Sequence, residues 1–143
     1  MEVTKELLKE KFNIYNKLYF DGKLGKCKFY FFPKNQTAFG KYTLWKKPSG
    51  EEVSHIHIGS RFNWNEQLLK EVLVHEMIHM YVTTIEGIKY DGVLGHGKHF
   101  RKQAKRIAKN YGIIISAHSF DSYTGKEVHP KLWERLLLWL IDR

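Results

Sequence analysis

The sequence predicts an α+β fold, and three observations carry that reading. Val72–Met80 is a helical stretch that is apolar on nearly every side. Residues 26–60 are rich in aromatic and alternating residues broken by turn signals. Amphipathic helical periodicity lies on both sides of these two regions. The chain has 143 residues, which fits one domain over 1–143. A chain of this size buries roughly 68–70% of its unfolded surface, enough for a core without staples. No internal repeat or low-complexity segment interrupts it.

Residues 4–19 form the first expected helix, with Leu8, Phe12, Tyr15 and Tyr19 as its apolar stripe. Leu7, Ile14 and Leu18 widen that stripe, and Asp21-Gly22 ends the helix. Lys28–Phe32 reads as a strand that stops at Pro33. Ala38–Trp45 is a second strand, and Lys46–Gly50 an exposed hairpin loop. Val53–Gly59 alternates, with Ser54, Ile56 and Ile58 inward and Val53, His55, His57 and Gly59 outward. Histidines on a strand surface are commoner than strand ligands, so His55 and His57 are read as surface residues facing solvent or a cleft.

Asn63-Trp64-Asn65-Glu66 opens the central helix, with Asn63 and Asn65 equally good caps. It should run to about Thr84, where Thr83-Thr84 and Gly87 weaken and stop it. Residues 85–97 form a glycine-rich loop. Lys98–Tyr111 is the next helix, capped by Gly112, with Phe100, Ala104, Ile107, Ala108 and Tyr111 inward. Its other side is a basic stripe of Lys98, Arg101, Lys102, Lys105, Arg106 and Lys109. Ile113–Ile115 reads as extended, Ser116–Pro130 as polar, and Lys131–Arg143 as a last helix with Trp133, Leu136, Leu137 and Leu140 on its apolar side.

The chemistry centres on His75-Glu76-Met77-Ile78-His79, an H-E-x-x-H pattern inside the apolar helix. Histidines at i and i+4 share one helical face about 6 Å apart along the axis, so both imidazoles can reach one Zn²⁺. Glu76 lies just round the helix, where its carboxylate can take a proton from a water the metal activates. Leu68, Val72, His75, His79 and Val82 form one stripe, and Leu69, Leu73, Met77 and Met80 another. Such a helix belongs inside a domain. Three charge-capable groups there need a partner, and a metal supplies one.

Catalytic zinc takes three protein ligands and leaves one position open. The third ligand is assigned to His96, between Gly95 and Gly97 at the mouth of the next helix. Glu86, Asp91 and His99 compete for that place. Asp91 is alternatively a residue that orients a ligand histidine through its second nitrogen. Zinc is preferred over Fe²⁺, Mn²⁺ or Co²⁺ by ligand type.

Composition narrows the setting. Apolar residues make up 43% and aromatics 15%, a globular profile. Cys27 is the single cysteine, so no intrachain disulfide and no cysteine zinc ribbon can form. That suits a reducing compartment, and Met1–Glu6 opens no secretory segment. Leu136–Ile141 is too short to span a bilayer. A cytoplasmic protein without a membrane partner is expected. The net charge of +9 favours a polyanion, nucleic acid first.

His75–His79 followed by Gly95-His96-Gly97-x-x-Phe100 resembles the SprT-like (Spartan) family of zinc metallopeptidases. The similarity covers about residues 10–120. It includes Phe20-Asp21-Gly22-Lys23-Leu24 and the strand Ala38-Phe39-Gly40-Lys41-Tyr42. The resemblance implies a compact zincin-like minimal metalloprotease domain of α+β class. Its sheet would be small and mainly antiparallel, packed on helices around the motif helix. It implies His75, His79 and His96 as zinc ligands, Glu76 as general base, and cleavage of protein substrates, in some members proteins bound to DNA. Many members continue into a cysteine zinc ribbon or DNA-binding tail, and this chain stops at Arg143 with no cysteine pair. DNA contact would therefore fall to the stripe from Lys98 to Lys109 or to Lys41, Trp45, Lys46 and Lys47.

The expected reaction is peptide hydrolysis, with Glu76 moving the proton and one further donor holding the oxyanion. His118, Tyr123, Tyr81 and Tyr90 are candidates for that donor. The strand bearing His55 and His57 is expected to pair with extended substrate. The rival reading is a nucleic-acid-binding module with a structural or catalytically inactive zinc site. Glu76 counts against it, since a closed structural site has no use for that carboxylate.

Overall fold

Thr4 starts the first helix, α1 (Lys5–Phe20), by accepting the Leu7 amide on its hydroxyl at 3.1 Å. Asp21, at φ 52°, ends it in the left-handed region. Leu8, Phe12, Tyr15 and Tyr19 are buried as their spacing requires. Ile14 and Leu18 are not: they stand 41% and 52% exposed. The partner layer covers a narrower arc of α1 than the apolar sequence offers. This computed structural model describes residues 1–115, and the expectations for Ser116–Pro130 and for the helix over Lys131–Arg143 lie outside the described residues.

Three strands follow: β1 (Cys27–Phe31), β2 (Gly40–Lys46) and β3 (Glu52–Ile58). Their spatial order is β1-β3-β2. The short loop after Lys46 closes on Lys47 and Glu51 and makes β2 and β3 antiparallel. β3 then lies parallel to β1, Phe29 opposite Ile56. The sheet is therefore mixed, one parallel pair and one antiparallel pair, not mainly antiparallel as the resemblance implied. The cause is the position of β3. Its inward residues Ser54, Ile56 and Ile58 are 4%, 0% and 0% exposed, and so deep a strand takes the centre. Among the described residues, β2 is left as an edge.

Asn65 caps the second helix, α2 (Glu66–Met80), by accepting the Leu68 amide at 2.9 Å, which decides between the two candidate asparagines. Eleven residues of α2 are buried, so it is the interior helix its composition predicts. It continues as a wider turn over Tyr81–Ile85, where the Thr84 hydroxyl donates back to the Met80 carbonyl at 2.6 Å. After a short turn at Val93–Gly95 comes the third helix, α3 (Lys98–Tyr111). Gly112, at φ 71°, closes it as expected. Phe100, Ala104 and Ile107 enter the core, while Tyr111 stays 45% exposed against Tyr19. Ile113 and Ile115 are buried without forming a strand. Among the described residues, no helix is long and apolar enough to cross a membrane.

Gly40 fixes how closely α2 and the sheet approach. A Cβ there would lie 2.9 Å from Val72 Cγ1 and 3.0 Å from Glu76 Oε2. The β2 backbone thus passes directly beside the carboxylate of the motif.

Candidate metal centre

α2 presents His75 and His79 from successive turns on one face. The chain then leaves α2, bends through Gly87 and Gly92, and returns with His96. Gly95 makes that return possible. It sits at φ 75°, and its backbone lies so near His79 that a Cβ would be 3.2 Å from Cε1 and Nδ1. His96 Nε2 lies 3.1 Å from His79 Nε2 and 3.1 Å from His75 Nε2. One ligand nitrogen from each of the three rings lies within 4.8 Å of the others. Among the described residues, this is the only group of three or more such side chains that could hold a metal ion.

The donor set fits a cation. Three Nε2 atoms facing one another make poor hydrogen-bond partners, because a proton on His96 can serve only one neighbour and leaves the other repelled. A single ion satisfies all three lone pairs. Ligand nitrogens on a tetrahedral zinc stand about 3.3 Å apart, close to the spacings observed. Burial, together with the neighbouring His96, pushes the His79 pKa down to about 3, with Asp91 opposing. His79 is thus a neutral imidazole at neutral pH, the form that ligates metal.

Phe100 forms the floor beneath the rings. Its ring centroid is 4.8 Å from that of His75, 4.7 Å from His79 and 4.9 Å from His96. It is fully buried. Asp91 holds the start of α3, its Oδ1 accepting from the His99 amide at 3.0 Å and its Oδ2 from the Phe100 amide at 2.7 Å. Both carboxylate oxygens therefore serve the helix N-terminus as a cap. Gly97 permits the arrangement, since a Cβ there would fall 2.5 Å from Asp91 Oδ1. The other two competitors for the third position pair with each other: His99 Nδ1 is 3.2 Å from Glu86 Oε2. Glu86 also accepts from Gln103 at 2.9 Å.

Glu76 is 5% exposed and lines the same cavity, of about 440 Å³, as His75, His79 and His96. Phe32, Gln36, Gly40, Lys41, Tyr42 and Leu94 complete most of its wall. Sequence reasoning missed these as cleft residues. Leu94 gave no signal, being 73% exposed at φ 54° in a loop. The Tyr42 hydroxyl is occupied by Ser54 Oγ at 2.9 Å. Of the expected oxyanion donors, Tyr90 is 92% exposed and Tyr81 packs on Phe20, and neither lines the cavity. His118 and Tyr123 lie outside the described residues.

The basic stripe of α3 is less free than its spacing suggests. Arg106 donates to the Tyr19 carbonyl at 2.6 Å and to Gln103 Oε1 at 2.8 Å, which ties α3 to α1. β3, expected to pair with substrate, is the central strand and has both edges occupied.

A model of the SprT-like family matches residues 8–131. No curated protein matches the chain in sequence.

Proposed function

The chain belongs to the SprT-like family, and on that premise we propose that it is a zincin-like, zinc-dependent peptidase acting on protein substrates. The observation that carries the reading is the convergence of three Nε2 atoms beside a carboxylate in one open cleft. His75, His79 and His96 are assigned as the zinc ligands. When bound, zinc would supply Lewis acidity, acidifying a water and polarising the scissile carbonyl.

The chain's own residues do the rest. Glu76 accepts the proton of the attacking water and returns it to the leaving amine. Glu76 is buried beside the Gly40 backbone, which sets its carboxylate at the cleft wall. Extended substrate adds along the outer edge of β2, which no other described strand pairs, since Gly40, Lys41 and Tyr42 of that strand line the cavity. Recognition through backbone pairing asks little of the substrate's side chains. The alternative, a module with a structural or inactive zinc, does not account for a carboxylate held at the cleft wall.

Replacing Glu76 with Gln tests the assignment. Zinc content should be unchanged, while cleavage of casein should fall by about 10²–10⁴-fold. Full activity in Glu76→Gln would remove the general base. Stoichiometric zinc with no cleavage by the unaltered protein, across casein and other unfolded substrates, would favour the alternative.

A further inference from the structure

One large apolar side chain stands at the histidine cluster uncovered. Leu94 lines the same cavity as His75, Glu76, His79 and His96, yet it is 73% exposed. Among the described residues, the other exposed large apolar side chains, Trp45, Tyr90 and Leu18 among them, are not part of that wall. Leu94 is placed by its neighbours. The Gly95 backbone lies against the His79 ring, and His96 Nε2 reaches both His75 and His79.

The backbone of Leu94 is equally unusual. It sits at φ 54° and ψ 25°, in the left-handed region, where Cβ crowds the following carbonyl. Among the described residues, the other side chain held at positive φ is Asp21, which closes α1. Aspartate tolerates that conformation; leucine adopts it at a cost. Gly92 and Gly95, on either side, take positive φ freely, and a glycine at 94 would serve the turn as well. Two penalties therefore fall on one residue: a strained backbone and apolar surface left in water. Packing within the described residues leaves both standing. What occupies the cleft can offset them.

We propose that Leu94 is a specificity-determining residue of the cleft, covering a bulky apolar side chain of the polypeptide laid beside His75, His79 and His96. This rests on the peptidase reading of the cleft and adds a side-chain requirement to it. The rest of the wall suits such a guest, since Phe32 and Ala38 line the cavity half-buried. A substrate leucine or phenylalanine set against these residues removes apolar surface of both partners from water. A serine, aspartate or lysine there leaves Leu94 wet or gives up its own hydration. Pairing along β2 supplies affinity, and Leu94 supplies selection.

The test uses fluorogenic peptides that differ at one position, carrying leucine, phenylalanine, serine, aspartate or lysine in an otherwise glycine- and serine-rich sequence. For the zinc-loaded protein, kcat/KM should favour leucine and phenylalanine over serine by about 10–100-fold, mainly through KM. Leu94→Ala should shrink that ratio to about threefold or less, and Leu94→Met should keep most of it. The melting temperature of Leu94→Gly should stay within about 2 °C, because relief of the left-handed conformation offsets the chain entropy of glycine. Binding of the labelled peptides to Glu76→Gln reads recognition without cleavage. It should follow the same order, and lose it when Leu94→Ala is added. That order of binding, with no cleavage by the unaltered protein, would remove the peptidase reading and leave the role of Leu94 standing. Cleavage without an apolar preference, or a preference that survives Leu94→Ala, would overturn the role of Leu94 alone. So would a larger fall in the melting temperature of Leu94→Gly, which would put the leucine in the chain's own packing. Failure to bind or cleave any of the peptides would overturn both.

Discussion

His75, His79 and His96 meet at a point, whereas His55 and His57 lie side by side along a strand. Local spacing treats the two groups alike: each contains a pair of histidines on one face of a regular element. The helical pair has a third ring brought to it by a glycine-bent loop, with Nε2 atoms 3.1 Å apart. The strand pair has aromatic neighbours instead, and among the described residues the buried Nδ1 of His57 has no hydrogen-bond partner. The difference teaches that a cluster able to hold a metal is made by convergence from separate parts of the chain. Two histidines in register are only an invitation.

The comparison can be broken most directly at its third ring. His96→Ala should reduce zinc in protein purified without added metal to background, a loss of affinity greater than about 100-fold. Retained stoichiometric zinc would dissolve the distinction between the two groups. Phe100→Ala removes the floor shared by the three imidazoles. A fully buried Phe truncated to Ala costs about 3–5 kcal/mol in denaturant unfolding, and zinc affinity should fall with it.

Acid sharpens the contrast. His79 is held down to about 3 in the folded chain, against about 6.5 when unfolded, so the unfolded state takes the proton first. Its contribution to the stability of the metal-free protein is complete above pH ~6.5. It is lost as pH falls towards 3, and bound metal should leave in the same direction. Urea unfolding of the apo-protein at pH 7 and pH 4.5 measures this, and equal midpoints would contradict it. The smallest effect belongs to the other group: His55→Ala with His57→Ala should leave zinc content unchanged and stability within about 1 kcal/mol. A loss of metal there would mean that the strand histidines reach the centre after all.

Much of the architecture was legible because burial leaves periodic traces. The bounds of α3 and the inward set of β3 follow from apolar spacing alone, as does the deep burial of α2. The errors come where spacing is silent about neighbours. Ile14 and Leu18 are apolar yet uncovered, because what packs beside α1 is decided elsewhere in the chain. The parallel pairing of β1 with β3 depends on β3 lying between β1 and β2, a contact between strands far apart in the chain that no turn signal announces. Asp91 caps a helix that begins several residues later, beyond the reach of a local capping rule.

The sequence by itself determined that two histidines and a glutamate share one buried helix, since 3.6 residues per turn leaves those spacings no other geometry. It also determined a basic, single-cysteine α+β chain. Only the tertiary structure decided that His96 completes the cluster, with Glu86, Asp91 and His99 engaged elsewhere. It also decided that, among the described residues, β2 is the edge beside the cleft and that the rings of Trp45, His55, Tyr30, His57 and Phe32 follow one another across the sheet. Those outcomes rest on contacts between residues far apart in the chain, where the position of each side chain depends on how the rest has packed.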